Sequence, residues 1–256
     1  MTFEQRPIYT QTDNIWTPAP EAKGPFAGQH GGAVAGVMAA AMAAEAAVLQ
    51  AGLGVKLSLH LLRPAPVAPV EIKVEVVTNG RRLTVLQASM SANDKLVALA
   101  HAVFVQPVAV PTLPPTPVTT PVDLASALPA KVGDYSSEPW FWDAIEARQT
   151  ADHTIWLRAL RPIAQPFPPL AQIGMMADWA SGFSRLDSLD EPLVAALPNA
   201  DLTIHLSRQP QGGWIGLRPD STWHENGLGL TDTVLLDQWG VIGRGCQSLL
   251  LLPLPG

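Results

Sequence analysis

The chain has 256 residues, of which 47% are hydrophobic and only 15% charged, with 16 Lys and Arg against 22 Asp and Glu for a formal net charge of −6. Soluble proteins average about 25% charged residues, so much of this chain must be buried. An acidic balance without a basic run excludes a phosphate-backbone binder, and nucleic acid is not an expected partner. The lone Cys246 cannot form an internal disulfide, which points to a reducing cytoplasm. The opening "MTFEQRPIYTQTDNIW" lacks the basic-then-apolar layout of a signal peptide. No run reads as a membrane span; the nearest, "AVAGVMAAAMAAEAAVLQAGLGV", is built from Ala and Gly and carries Glu45.

In chain order, the first strong element is a helix over "HGGAVAGVMAAAMAAEAAVLQ", apolar almost all round and so predicted to be buried. Four alternating runs, "KLSLHLL", "VEIKVEVV", "RLTVLQASMS" and "KLVALAHAVFV", are predicted strands. "TNGRR" carries an Asn-Gly hairpin signal between the second and third, and "SANDK" reads as another turn. Residues 107–121, "PVAVPTLPPTPVTTP", hold six of the chain's 25 prolines. Proline lacks a backbone donor and pushes its predecessor extended, so this stretch is neither helix nor central strand. We read 1–106 as an N-terminal unit, 107–139 as a proline-rich linker and 140–256 as a C-terminal unit. The second unit repeats the order: a leading strand in "ADHTIWLRAL", a helix over "QIGMMADWASGFSRL", then strands "ADLTIHLSR", "GGWIGLRPDSTW", "LGLTDTVLLD" and "VIGRGCQSLLLL". A helix followed by an antiparallel meander, twice, is an α+β arrangement.

The repetition extends to register. Leu57 answers to Leu202, His60 to His205, Leu61 to Leu206 and Arg63 to Arg208, each 145 positions apart. The same spacing relates Ile72 to Leu217, Leu83 to Leu228, Val85 to Leu230 and Leu96 to Val241. A constant offset through four successive strands points to internal duplication.

A doubled unit of one helix and one antiparallel sheet resembles the TesB-like, or type II, acyl-CoA thioesterases, which are double hotdogs. The likeness rests on "GQHGGAVAG", "LHLLRPAP" and "VEIKVEVVTNGRRLTVLQASM" in the first half. In the second it rests on "MMADWASG", "LPNADLTIHLSRQP" leading to "GGWIGL", and "DQWGVIGRGCQSLLL". It implies hydrolysis of a fatty acyl-CoA to free acid and coenzyme A, by water positioned by an Asp, a Ser or Thr, and a Gln. The Asp falls on Asp178 and the Gln on Gln247. The hydroxyl position falls on Asn199, a departure, since an amide can hold water but cannot relay a proton; Thr203 is the nearest substitute. The resemblance implies no cofactor, an apolar acyl pocket between the units, and a possible homodimer or higher oligomer. The departure leaves open a non-catalytic acyl-CoA or lipid-metabolite binder on the same scaffold.

The residues carry their own reading. Asp178 stands in a helix otherwise poor in charge, where an unpaired carboxylate would be costly, so it is either a held catalytic group or a solvent-facing cap. Gln247, between Cys246 and Ser248 in an apolar strand, either fastens the sheet or holds a water. "GQHGG" opens the first helix, where free N–H groups favour an oxyanion; Gly31 and Gly32 are candidate donors, or merely permit tight packing. His30 is a polar group at the site mouth or an ordinary surface histidine. Arg63 and Arg208, with Arg81 and Arg82, are candidates for the phosphates of coenzyme A, although exposed arginines are commonly only solvated. Cys246 should face away from Gln247, as neighbours on a strand do, and reads as a small buried hydrophobe. No His-Glu-x-x-His or Cys-His spacing suggests a metal, and no Gly-x-Ser-x-Gly elbow suggests a serine hydrolase.

Overall fold

A computed structural model describes residues 6–111, 114, 119–131, 138–184, 195–196 and 198–253. A short hairpin, β1 (Tyr9–Thr12) and β2 (Ile15–Pro18), precedes helix α1 (Gly31–Val48). Then come β3 (Leu53–Leu61), β4 (Val70–Asn79), β5 (Leu83–Ala92) and β6 (Lys95–Val105). The second half has β7 (Leu128–Pro129), β8 (Ile145–Gln149), β9 (Ile155–Ala159), α2 (Pro169–Ala177) and α3 (Ala180–Phe183). The long strands follow: after the two-residue β10 (Ala195–Ala196) come β11 (Asp201–Leu206), β12 (Trp214–Trp223), β13 (Leu228–Asp237) and β14 (Gly240–Leu250). A last piece, β15 (Leu252–Pro253), pairs with β10.

Thirteen strands form one antiparallel sheet in the order β1-β2-β4-β5-β6-β3-β11-β14-β13-β12-β9-β8-β7. Alternation explains its curl around the helices: Leu86, Ala88 and Met90 of β5 and Ala98, Ala100 and Ala102 of β6 all turn inward onto α1 and are buried. The halves join where β3 pairs with β11, and there Ser58 lies directly opposite Thr203, its own counterpart 145 positions on. Leu57 faces Ile204 and Leu59 faces Leu202, so a pseudo-twofold passes between Ser58 and Thr203. β5 and β13 start and end 145 residues apart, as do β6 and β14. Even the ladder irregularity repeats, between Met90 and Ser91 in one unit and Leu235 and Leu236 in the other. Bulges are inherited features of a fold, so the duplication reaches the backbone.

Both helices lie inside this wrap and run antiparallel. Their seam is made of small residues: a Cβ on Gly32 would come within 2.6 Å of the Met175 carbonyl, one on Gly36 within 3.2 Å of the Met175 side chain, and one on Gly174 within 3.2 Å of the Ala35 carbonyl. The N-terminus of α1 therefore meets the C-terminus of α2. Among the described residues α1 is the one helix long and apolar enough to cross a membrane, with a mean hydropathy of 1.6, which amends the expectation that none would pass. Its window is 67% buried within the sheet, and that burial accounts for the composition.

The leading hairpin β1–β2 and strand β8 were not anticipated. The helix expected across Asp178 is instead broken there, between α2 and α3. The linker expectation for 107–139 falls partly outside the described residues. Its described part runs along the second unit, where Leu124 packs with Trp156, Trp214 and Leu236 and β7 pairs with β8.

Candidate active site

The site lies where the two helix ends meet. Asp178 caps the end of α2, with 6% of its surface exposed. Its Oδ1 accepts a hydrogen bond from Asn199 Nδ2 at 2.7 Å and a longer one from Gln247 Nε2 at 3.4 Å. Gln247, 1% exposed, also donates to the Asp178 carbonyl at 3.2 Å and accepts the Ser181 N–H at 3.3 Å. These contacts settle both amide orientations: Asn199 Nδ2 faces two acceptors, Asp178 Oδ1 and the Asp201 carbonyl, while Gln247 faces acceptors with its nitrogen and a donor with its oxygen. The three residues assigned to the water site therefore converge.

The first helix supplies the other wall. The N-cap of α1 is His30, whose Nδ1 lies 3.0 Å from Asp178 Oδ2. The Gly32 N–H also lies 3.0 Å from this nitrogen, in the position of a capping bond. Nδ1 accepts this N–H and caps the helix, and the Asp178 carboxylate lies beside it at the positive end of α1. The other N–H groups of the first turn remain without carbonyl partners in the helix. The imidazole packs on Trp179 at 4.2 Å and on Phe141 at 4.8 Å between ring centroids. Its loop is pinned by the Tyr9 hydroxyl on Gln29 Oε1, by Gln29 Nε2 on the Pro66 carbonyl at 2.6 Å and by the His30 N–H on the Ala22 carbonyl at 2.8 Å. Burial pushes the Tyr9 phenol up, so it acts here as a neutral donor.

Gly31 is required by this approach: a Cβ there would sit 2.7 Å and 2.8 Å from the two carboxylate oxygens of Asp178. The remaining candidates fall elsewhere. Arg208 is not available for phosphates; its guanidinium grips the buried Asp237 at 2.5 Å and 2.7 Å and reaches the Gly240 carbonyl. The Asp237 hydrogen bonds raise the Arg208 pKa further. Thr203 pairs with Cys246 on the outer face, away from Gln247, and is excluded as the missing hydroxyl. Cys246 does face away from Gln247, but it is half-buried rather than buried, and its thiol is pushed up by burial and by the charges of Asp232 and Asp201. Arg63 is exposed just past β3, two residues before Ala65, whose carbonyl accepts the Gln29 N–H beside the site. Arg81 and Arg82 are in the β4–β5 hairpin, at the other end of α1, about 27 Å away for an 18-residue helix.

Sequence reading missed a polar row in the interior of the second unit. At positions 145 apart, Leu86 is matched by Thr231, Ala88 by Thr233, Ala100 by Gly245 and Ala102 by Gln247. Thr231 stands opposite Gln247, and its hydroxyl continues to Ser221 at 2.6 Å and then Ser184 at 2.5 Å. Overlaying the two copies and asking where hydrocarbon becomes polar would have found this row.

One curved sheet around two antiparallel helices defines a double hotdog, with one acidic centre between the units. The chain matches the acyl-CoA thioesterase N-terminal domain over residues 19–105 and the C-terminal domain over residues 107–251. It belongs to that family and is a thioester hydrolase. No curated protein sequence matches it. Among solved structures it is similar to a hot dog fold protein of unknown function from Alicyclobacillus acidocaldarius, at 16% identity, coverage of 100% and 99% of the two chains, and TM-score 0.75. It is also similar to the acyl-CoA thioesterase II TesB2 of Mycobacterium marinum, at 17% identity, coverage of 97% and 96%, and TM-score 0.69. The tesB protein of Mycobacterium avium subs paratuberculosis aligns at 15% identity over 96% of each chain, with TM-score 0.64.

Proposed function

We propose that this chain hydrolyses fatty acyl-CoA, in the cytoplasm, with a water molecule held by Asp178, Asn199 and Gln247. The convergence of these side chains on the Asp178 carboxylate carries the reading, with Asn199 Nδ2 only 2.7 Å from Oδ1. Asn199 Oδ1 makes no hydrogen bond among the described residues, so the amide that steadies Asp178 still has an acceptor for water. The water attacks the acyl carbonyl as its proton passes to the Asp178 carboxylate, and the uncapped Gly31 N–H receives the developing oxyanion at the positive end of α1, the Gly32 N–H being taken by His30 Nδ1. Collapse expels coenzyme A as a thiolate, a good leaving group for a thiol with a pKa of about 8.5. Nearby Arg63 is the remaining candidate for a phosphate contact.

The test is thiol release from short, medium and long acyl-CoAs by the native protein and by Asp178→Asn. The substitution keeps the volume and removes the charge, and kcat should fall by about 10²–10⁴-fold. Turnover that survives in Asp178→Asn would sink the mechanism.

A further inference from the structure

Resting on the thioesterase reading, we propose that the site takes an acyl chain carrying a neutral oxygen, as in a hydroxyl or ketone, bound along a polar track on the inner face of the second unit. The track starts at the acid. Gln247 bonds Asp178, Thr231 stands directly opposite Gln247 on β13, and Ser221 stands opposite Thr231 on β12. From Thr231 the hydroxyls run through Ser221 to Ser184, just past α3. Gln247 and Thr231 are 1% and 0% exposed, so the head of the track is interior. Packing alone does not demand polar groups there: 145 positions earlier, the first unit fills the same two places with buried Ala102 and Leu86.

Two donors beside the track are buried and unsatisfied. Thr233 lies two residues along β13, about 7 Å from Thr231, and is 2% exposed, yet its Oγ1 has no partner among the described residues. Trp223 Nε1 has none either. Its ring lies over Gly229, on the other side of Thr231, since a Cβ on Gly229 would meet Trp223 Cδ1 at 2.8 Å. A buried donor without an acceptor destabilises a fold, and the first unit avoids one by placing Ala88 where Thr233 stands. A ligand oxygen supplies the acceptor that the chain does not. The packing leaves room for it. Gly245, buried and opposite Thr233, stands where the first unit has Ala100, and a Cβ on it would meet nothing closer than 3.9 Å. On α3, a Cβ at Gly182 would meet nothing within 4 Å. Charge selects the kind of oxygen. Among the described residues no Lys or Arg hydrogen-bonds to the track, and the charge at its head is the Asp178 carboxylate. A second carboxylate on the chain would be repelled, whereas a neutral oxygen would not.

Thiol release from acyl-CoAs matched in chain length, unsubstituted, 3-hydroxy, ω-hydroxy and ω-carboxy, tests the assignment. A hydroxyacyl-CoA should exceed its unsubstituted counterpart by about tenfold or more in kcat/KM, as expected when a substrate oxygen pairs with donors otherwise left unpaired. The ω-carboxy chain should rank below the preferred hydroxyacyl chain. Thr233→Val keeps the branched shape and removes the hydroxyl. It should bring the hydroxyacyl preference down by about fivefold or more with Tm at or above the native value, whereas a hydroxyl with only a structural role would lower Tm and leave the preference alone. Thr233→Ala, the residue of the first unit, gives the same reading should the valine variant not fold. An unsubstituted or ω-carboxy chain as the best substrate of the native protein overturns the proposal, as does a hydroxyacyl preference that survives both substitutions. A native protein that releases thiol from none of these, at short, medium or long chain length, would instead defeat the thioesterase reading beneath it.

Discussion

Adjacent glycines at the head of α1 should respond to the same substitution in opposite ways. In Gly31→Ala the new methyl would lie 2.7 Å from Asp178 Oδ1, against an ordinary contact of at least 3.4 Å, so the carboxylate must retreat by about 0.7 Å. A misplacement of about 1 Å at a reacting group costs about 10²-fold, so kcat should fall by about 10–100-fold. Stability should hardly move: the backbone of Gly31 lies outside the left-handed region, and Ala gains up to about 1 kcal/mol of helix propensity over Gly. In Gly32→Ala the methyl meets the Met175 carbonyl at 2.6 Å, which is backbone and cannot swing aside. The helix seam must open, at a cost of about 2 kcal/mol or more, and Tm should drop by about 4–8 °C. Thermal unfolding and acyl-CoA thiol release on both variants read the two effects. Native-like kcat in Gly31→Ala, or an equal fall in Tm for both, would refute the placement of Asp178 over Gly31.

Arg208→Ala should destabilise by about 3 kcal/mol, because it strands the buried Asp237 carboxylate, while leaving kcat of the folded protein unchanged. An unchanged Tm in denaturation, or a raised KM for acyl-CoA, would restore Arg208 to the substrate site. Stability should also fall in acid. Burial pushes Asp237 up, but the hydrogen bonds from Arg208, Gln211 and Trp239 and the charge of Arg208 outweigh it and hold it low. For Asp152 the same opposition, burial against hydrogen bonds from Thr150, Thr154 and Arg218, leaves it at about 2 instead of 3.8. Groups depressed in the fold stabilise it above their unfolded values, so Tm should hold down to about pH 4 and decline as pH falls toward about 2. In Arg208→Ala that decline should begin at higher pH. Thr203→Val and Cys246→Ser should leave kcat within about twofold, since both side chains face outward; a larger loss in thiol release would mean the β11–β14 register is wrong.

The duplication made the fold legible, because a 145-residue offset carried through alternating strands can be read only as two sheets of one design. Asp178 and Gln247 came from the resemblance to the thioesterases, because burial of a carboxylate and of an amide left a structural role open for each; the fold brings the two side chains together. Arg208 misled because a strand-end arginine looks alike whether solvated or clamped. Its partner Asp237, at the end of another strand, becomes a neighbour only through β14, which pairs with both β11 and β13. The hairpin β1–β2 was missed because four-residue strands leave too short an alternation to distinguish from loop.

The deeper lesson lies in where the copies diverge. The first unit fills its interior with Leu86, Ala88, Ala100 and Ala102, and keeps a long unbroken helix whose head is glycine. The second breaks its helix at Asp178 and sets Thr231 and Gln247 on the matching strands. A twofold arrangement would otherwise present two equivalent helix-end junctions. At the other one, the head of α2 is capped by Pro168 without a side-chain bond, whereas the head of α1 carries His30. One junction thus keeps the bare N–H groups and the other half of the pair supplies the acid, so a symmetric scaffold yields a single asymmetric centre that needs both copies. Neither unit alone holds a complete one.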